Sequence, residues 1–172
     1  SETAVRLAAL DWVDAVSLGG TIPVTRDQLA KDFLVGGERF PLVDRARGIR
    51  KPRGWTSALS IMSAMPRAGR TRAYEDNEGT DGLQRYKLRA DEGGAADNDG
   101  LRVALRDRTP LIWFYGIAPG LFNAVSPVWL TAEEPDSHQF VVALSEGQRT
   151  LMPNSPVEEG LRRYIVAETK RR

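Results

Sequence analysis

Leu111-Ile112-Trp113-Phe114-Tyr115, a break at Pro119-Gly120, and the long run over residues 121–131 are the stretch that decides the fold of this 172-residue chain. Two apolar runs separated by a proline-glycine break read as strong strands joined by a turn. Residues 139–144 read as a third strand, after the polar break at residues 133–137. Working outward, residues 57–63 read as a strand, and residues 83–88 as a shorter one that carries Tyr86. Gly36-Gly37, between Phe33-Leu34-Val35 and Arg39-Phe40-Pro41-Leu42-Val43, is a hairpin signal. The expected fold class is α+β: a curved, mostly antiparallel sheet with helices at its ends.

The helices are read from period and caps. Val5, Ala8, Ala9, Trp12, Val13 and Val16 fall at helical spacing over residues 4–17, and Gly19-Gly20 ends the pattern. Thr25-Arg26-Asp27-Gln28 has capping-box form ahead of a short helix with Leu29 and Phe33. Residues 91–100 read as a loop leading to a helix over 101–108, with Leu101, Ala104 and Leu105 on one face. Ser155-Pro156 opens a last helix with Val157, Leu161 and Ile165 inward. Trp12, Trp113 and Trp129 read as core, whereas Trp55, between Gly54 and Thr56, reads either way.

Composition excludes several function classes. The chain has no cysteine and one histidine, His138, so neither a disulfide framework nor a thiolate or His-rich metal site can be built. No cofactor is expected. No apolar run reaches membrane-spanning length, and residues 1–4 lack the basic start of a secretory signal, so a cytoplasmic, bacterial, non-membrane protein is the expectation. The formal charge of +1 hides an asymmetry: residues 45–72 carry eight Arg or Lys and no acid. Such a block is a local positive field suited to a polyanion.

Tyr74-Glu75-Asp76-Asn77 follows that block, and Tyr86 stands twelve positions after Tyr74. Two rings and a small amide or carboxylate are what a pocket needs to clamp a planar base and read its edge. Unstacking a base costs a few kcal/mol, and stacking on aromatic side chains returns about 1–3 kcal/mol per base, so two tyrosines are of the right size. A carboxylate accepts from the cytosine N4 donor and repels the thymine O4, whereas an amide can rotate to suit either. Read as bland residues, Asp76 and Asn77 are turn formers, Tyr74 a loop anchor and Tyr86 a strand-packing ring.

The order and spacing of Arg47-Gly48-Ile49-Arg50, Ser57-Ala58-Leu59-Ser60-Ile61, Tyr74-Glu75-Asp76-Asn77 and Tyr86 resembles the base-flipping core of SRA (SET- and RING-associated) domains, over residues 46–88. In that family a Gly-Ile turn precedes a strand, a Tyr-Glu-Asp-Asp motif follows, and a second tyrosine comes twelve residues after the first. Here Asn77 replaces the last aspartate of the motif. Through Phe40-Pro41-Leu42-Val43-Asp44-Arg45, Asp81-Gly82-Leu83-Gln84-Arg85-Tyr86-Lys87 and Pro110-Leu111-Ile112-Trp113-Phe114-Tyr115-Gly116, residues 4–168 are similar to the N-terminal domain of actinobacterial SRA-HNH type IV restriction endonucleases.

The resemblance implies a PUA-like β-barrel with flanking helices, one domain over residues 1–172, cut from a longer protein whose C-terminal HNH nuclease is absent. It implies binding of duplex DNA that contains 5-methylcytosine, or 5-hydroxymethylcytosine, by base flipping. The chain itself is then a reader and not an enzyme, and a homodimer through the parent protein is left open. Tyr74, Asp76, Asn77 and Tyr86 would form the pocket. Arg45, Arg47, Ile49, Arg50, Lys51, Arg53 and Trp55 would contact the groove or backbone, joined by Arg67, Arg70, Arg72 and Lys87. Two alternatives come from other classes. Asp136 and Glu168-Thr169-Lys170 have the letters of a magnesium-dependent nuclease, although Glu168 falls on an expected helix. An RNA-binding PUA-like module is the other.

Overall fold

Residues 111–118 and 121–134 form the two longest strands because nearly every side chain of the first has a buried place to go. Leu111, Trp113 and Tyr115 point into one apolar cluster, while Ile112 and Phe114 point into another on the opposite face. A strand covered on both faces reads as a continuous apolar run. The computed structural model describes residues 1–44, 47–64, 79–88, 94–154 and 159–171.

The described elements are, in chain order, α1 (Glu2–Val16), β1 (Val24–Thr25), α2 (Arg26–Lys31), β2 (Leu34–Val35), β3 (Glu38–Arg39), β4 (Ile49–Arg50) and β5 (Ser60–Ser63). They continue with β6 (Gln84–Lys87), α3 (Gly94–Asp107), β7 (Leu111–Ala118), β8 (Leu121–Glu134), β9 (Gln139–Ala143), α4 (Glu146–Arg149) and α5 (Glu159–Arg171). Seven strands make the main sheet, in the order β4-β5-β7-β8-β9-β6, with β1 added on β8. The sheet curls into a half-barrel flanked by helices.

The sheet is mixed rather than mostly antiparallel in its centre, because β5 and β7 run parallel, Ile61 beside Trp113. Parallel neighbours require a long crossover, and this one contains β6 and α3. Strand β8 bends as it passes from β7 to β9, with a register shift between Leu130 and Ala132. Such irregularities raise local twist and curl a sheet. The consequence is that the end strand β6 closes back over the sheet: Tyr86 on β6 meets Trp113 on β7, although β8 and β9 separate those strands within the sheet.

The helices close the two faces. On the outer face, Ala9 and Val13 of α1 and Leu29 of α2 pack on Ile112 and Phe114. On the inner face, Leu101, Ala104 and Leu105 of α3 pack among Val128, Leu130 and Leu144. Helix α3 begins at Gly94, seven residues earlier than the polar composition of residues 91–100 suggests. Tertiary contacts hold that first half: Asp97 pairs with Arg47 at 3.2 Å, and the Gly100 carbonyl accepts from Ala58 N–H at 3.1 Å. Ile165 of α5 packs on Leu83 and Val141. The Ser155-Pro156 start expected for that helix, with Val157, lies outside the described residues.

Two local expectations hold in detail. Gly36 and Gly37 take φ of 59° and 81°, the left-handed pair of a two-residue hairpin turn, although its strands are only two residues each. At Thr25, the hydroxyl accepts from Gln28 N–H at 3.1 Å and the Gln28 side chain accepts from Thr25 N–H at 2.8 Å. Removing such a cap costs roughly 1 kcal/mol, so Thr25→Ala is expected to lower unfolding free energy by that amount in urea titration. Among the described residues, no helix is long and apolar enough to cross a membrane.

Candidate nucleic-acid interface

The orientation of Tyr86 follows from its neighbour. Arg85 is buried on the opposite face of β6, where its guanidinium donates to both Asp81 carboxylate oxygens at 2.6 and 2.9 Å. Its Nε donates to Glu134 at 3.0 Å, and Nη2 reaches the Asn154 side-chain oxygen at 3.2 Å. Asn154 returns two bonds, from its backbone N–H to Asp81 at 2.7 Å and from Nδ2 to Glu134 at 2.6 Å. With Arg85 held outward by this network, strand alternation turns Gln84 and Tyr86 inward.

The same network sets the acid–base character of its carboxylates. The Arg85 bonds pull the Glu134 carboxyl down from its ordinary value of 4.5 to about 2, against the opposing effect of burial, with help from Asn154 and Gln139. Burial would raise Asp81, but the bonds from Arg85, Asn154 and Leu83 outweigh it and its pKa is lowered.

Inside the half-barrel, Tyr86 is 4% exposed and stands edge-on to Trp113, with ring centroids 6.0 Å apart. Trp113 in turn stacks on Tyr115 at 4.4 Å and donates its indole N–H to Ser63 at 2.9 Å. Gly48, which immediately precedes the other end strand β4, closes on this cluster. A Cβ built there would sit 2.5 Å from the Tyr86 hydroxyl and 3.3 Å from the Met62 carbonyl. Only a glycine leaves the tyrosine its place.

Tyr86 and the Gly48-Ile49 turn, 37 positions apart or more, are thus brought together. Tyr74, Asp76 and Asn77, with Arg45, Arg67, Arg70 and Arg72, lie outside the described residues. Ile49 is 5% exposed and packs in the inner core, so its side chain is not offered to a groove. Arg50 also has structural employment: Nε donates to the Pro41 carbonyl at 2.9 Å, the guanidinium lies 5.6 Å over Phe40, and burial lowers its pKa. Trp55 is half-buried, with Phe40 at 5.8 Å and the Arg6 guanidinium 5.2 Å over its ring. These three side chains support the basic loop from within.

What faces outward is a smaller set. Arg53 and Lys87 are exposed, Lys51 is half-buried, and the Arg47 side chain remains 56% exposed while pairing with Asp97. The acid-free stretch of sequence is therefore not acid-free in space, because Asp97 comes to it from α3. Asp97 itself, within the residues 91–100 that read as a loop, is 5% exposed.

Among the described residues, the alternative metal chemistry finds no assembled site. Asp136 is exposed in a short 3₁₀ turn and Glu168 lies on α5, away from the adjacent strands that a magnesium nuclease needs. Among the described residues, no group of three His, Asp or Glu is placed to hold a metal ion. His138 is exposed in a left-handed turn. A cleft of about 450 Å³ opens between α3, β8 and α4, lined by Arg106, Trp129, Thr131 and Arg149 among others, and contains none of the expected site residues.

One inward residue escaped the sequence reading. Gln84 is 0% exposed beside Tyr86, and the signal for it was only the period of two along β6. Comparison of the chain with protein-family models, with curated proteins and with solved structures returns no match.

Proposed function

We propose that this chain is an SRA-like reader that binds duplex DNA containing a modified cytosine, 5-methylcytosine first, and takes the base out of the stack. The observation that carries the reading is the meeting of Gly48 with the Tyr86 hydroxyl. Two parts of the motif pattern that are distant in sequence converge on one ring cluster, at the place where the end strands of the half-barrel approach. Arg47, Lys51 and Arg53 lie within five residues of Gly48 in sequence and are exposed or, for Lys51, half-buried, so they supply cations for a phosphate backbone. Tyr86 supplies one face of the sandwich, and Tyr74 the other. Cleavage belongs to a nuclease elsewhere in a longer polypeptide.

Because Tyr86 is also a core residue, its truncation to alanine mixes stability with binding. Tyr86→Leu keeps apolar volume and removes the ring, and Tyr74→Ala removes the second ring. Stacking worth about 1–3 kcal/mol per base predicts that each variant binds a 5-methylcytosine duplex roughly 5- to 150-fold more weakly and loses its preference over unmodified duplex. The affinities are measured by fluorescence anisotropy on matched duplexes bearing C, 5-methylcytosine, 5-hydroxymethylcytosine or T. Unchanged preference in both variants would refute the pocket.

A further inference from the structure

Three arginines converge on the cleft of about 450 Å³ between α3, β8 and α4: Arg106 and Arg108 at the end of α3, and Arg149 on α4. Leu105, Trp129 and Leu130 supply apolar lining, and the volume is in the range of small-ligand sites. The arginines are not needed to close the end of α3. Arg108 N–H donates to the Leu105 carbonyl at 3.4 Å, and Thr109 N–H to that of Ala104 at 3.0 Å. Arg108 itself takes φ of 54°, the left-handed conformation in which a glycine commonly ends a helix. It bears that strain with an exposed side chain that has no ion pair or hydrogen bond among the described residues.

Arg149 is placed by packing. Its guanidinium lies 4.5 Å from the centre of the Trp129 ring, and the Gln148 side chain anchors α4 by accepting from Leu144 N–H at 2.9 Å. One nitrogen of Arg149 pairs with Glu146 at 2.9 Å, and Arg106 pairs with its neighbour Asp107 at 2.8 Å. A stacked guanidinium keeps its other N–H donors in its plane, ready for a bidentate grip on an oxyanion. Within the lining, the carboxylate of Glu146 is set against three guanidinium groups.

We propose that this cleft is a phosphate-binding site distinct from the base pocket. Arg108 and Arg149 grip the phosphate, and the apolar lining takes the group that carries it. The phosphate belongs to a mononucleotide-sized molecule or to a nucleic-acid strand, and the same guanidinium forks serve both. The site stands whether or not a base is flipped elsewhere on the protein.

Isothermal titration calorimetry of the whole chain at low ionic strength, with AMP, inorganic phosphate, adenosine and an unmodified DNA duplex, tests the site. A phosphate-bearing probe should bind, and adenosine should not. Arg108→Gly should weaken that binding by about tenfold or more, the loss expected for a hydrogen bond to a charged group. The same variant should melt no lower than the wild type, because glycine suits the left-handed position. Arg149→Gln should weaken binding likewise. Arg102→Gln removes a cation of α3 that does not line the cleft, and should change affinity by less than about twofold. A duplex whose affinity falls in Arg108→Gly more than in Arg102→Gln assigns the phosphate to a nucleic-acid backbone. AMP binding that needs Arg108, with duplex affinity unaffected, assigns it to a small molecule. Failure of every phosphate-bearing probe to bind, binding that survives in Arg108→Gly and Arg149→Gln, or an equal loss in Arg102→Gln would overturn the site.

Discussion

Arg85→Ala is expected to cost about 3–5 kcal/mol of folding stability, the range for removing one partner of a buried ion pair. The Asp81 side chain is 2% exposed, and the substitution leaves its charge buried with only the Leu83 and Asn154 N–H groups to satisfy it. Glu134, bonded to the same guanidinium, loses its cationic partner as well. Chemical denaturation at neutral pH measures the loss, and a change below about 1 kcal/mol would mean that the pair behaves as an exposed one. Arg85→Met combined with Asp81→Leu should recover much of it, because replacing both partners leaves no orphan charge.

The network also fixes a pH dependence. Glu134 and Asp81 have pKa values lowered by folding, so each contributes stability that is present above its unfolded value and is lost as pH falls through the folded one. For Glu134 that window runs from 4.5 down to about 2. Wild-type stability should fall through this window on acidification, and the Arg85→Ala profile should be flatter there. Equal slopes in the two proteins would contradict the assignment.

Trp113→Ala is the second large effect, about 3–5 kcal/mol for deleting a fully buried indole. Trp113 is 0% exposed and touches both tyrosines of the inner cluster, so its loss opens a cavity beneath Tyr86. The bond from its indole N–H to Ser63 also disappears. Near-ultraviolet circular dichroism and thermal melting report the damage. Trp113→Phe retains much of the packing and should cost less. On the pocket reading, Trp113→Ala also weakens binding of the modified duplex, because Tyr86 loses the ring that sets its tilt. A Tyr86 environment unchanged by Trp113→Ala would show that the cluster does not position the tyrosine.

Much of the local structure was legible because it depends on near neighbours along the chain. The capping box at Thr25, the glycine pair at 36 and 37, and the helical face of Leu101 and Ala104 each need only a few consecutive residues. Helix α3 began too late in the sequence reading because Asp97 looks like a loop residue until Arg47, 50 positions away, is placed beside it. The described part of the basic stretch likewise has partners that are distant in sequence, Asp97 beside Arg47 among them. Arg50 and Ile49 read as groove contacts by charge or by motif position and Trp55 reads either way, while the structure gives all three packing or hydrogen-bond partners within the loop or the core.

The apolar runs were enough to place the longer strands β5 to β9, because the backbone sends side chains alternately to either side, whereas the two-residue strands β1 and β4 have too few residues to show a period. They were not enough to determine which strands become neighbours. The parallel pairing of β5 with β7, the approach of Gly48 to Tyr86, and the seat of Arg85 among Asp81, Glu134 and Asn154 all arise when the bent sheet closes on itself. Those contacts join residues far apart along the chain, and nothing in a local spacing encodes the curvature that brings them together.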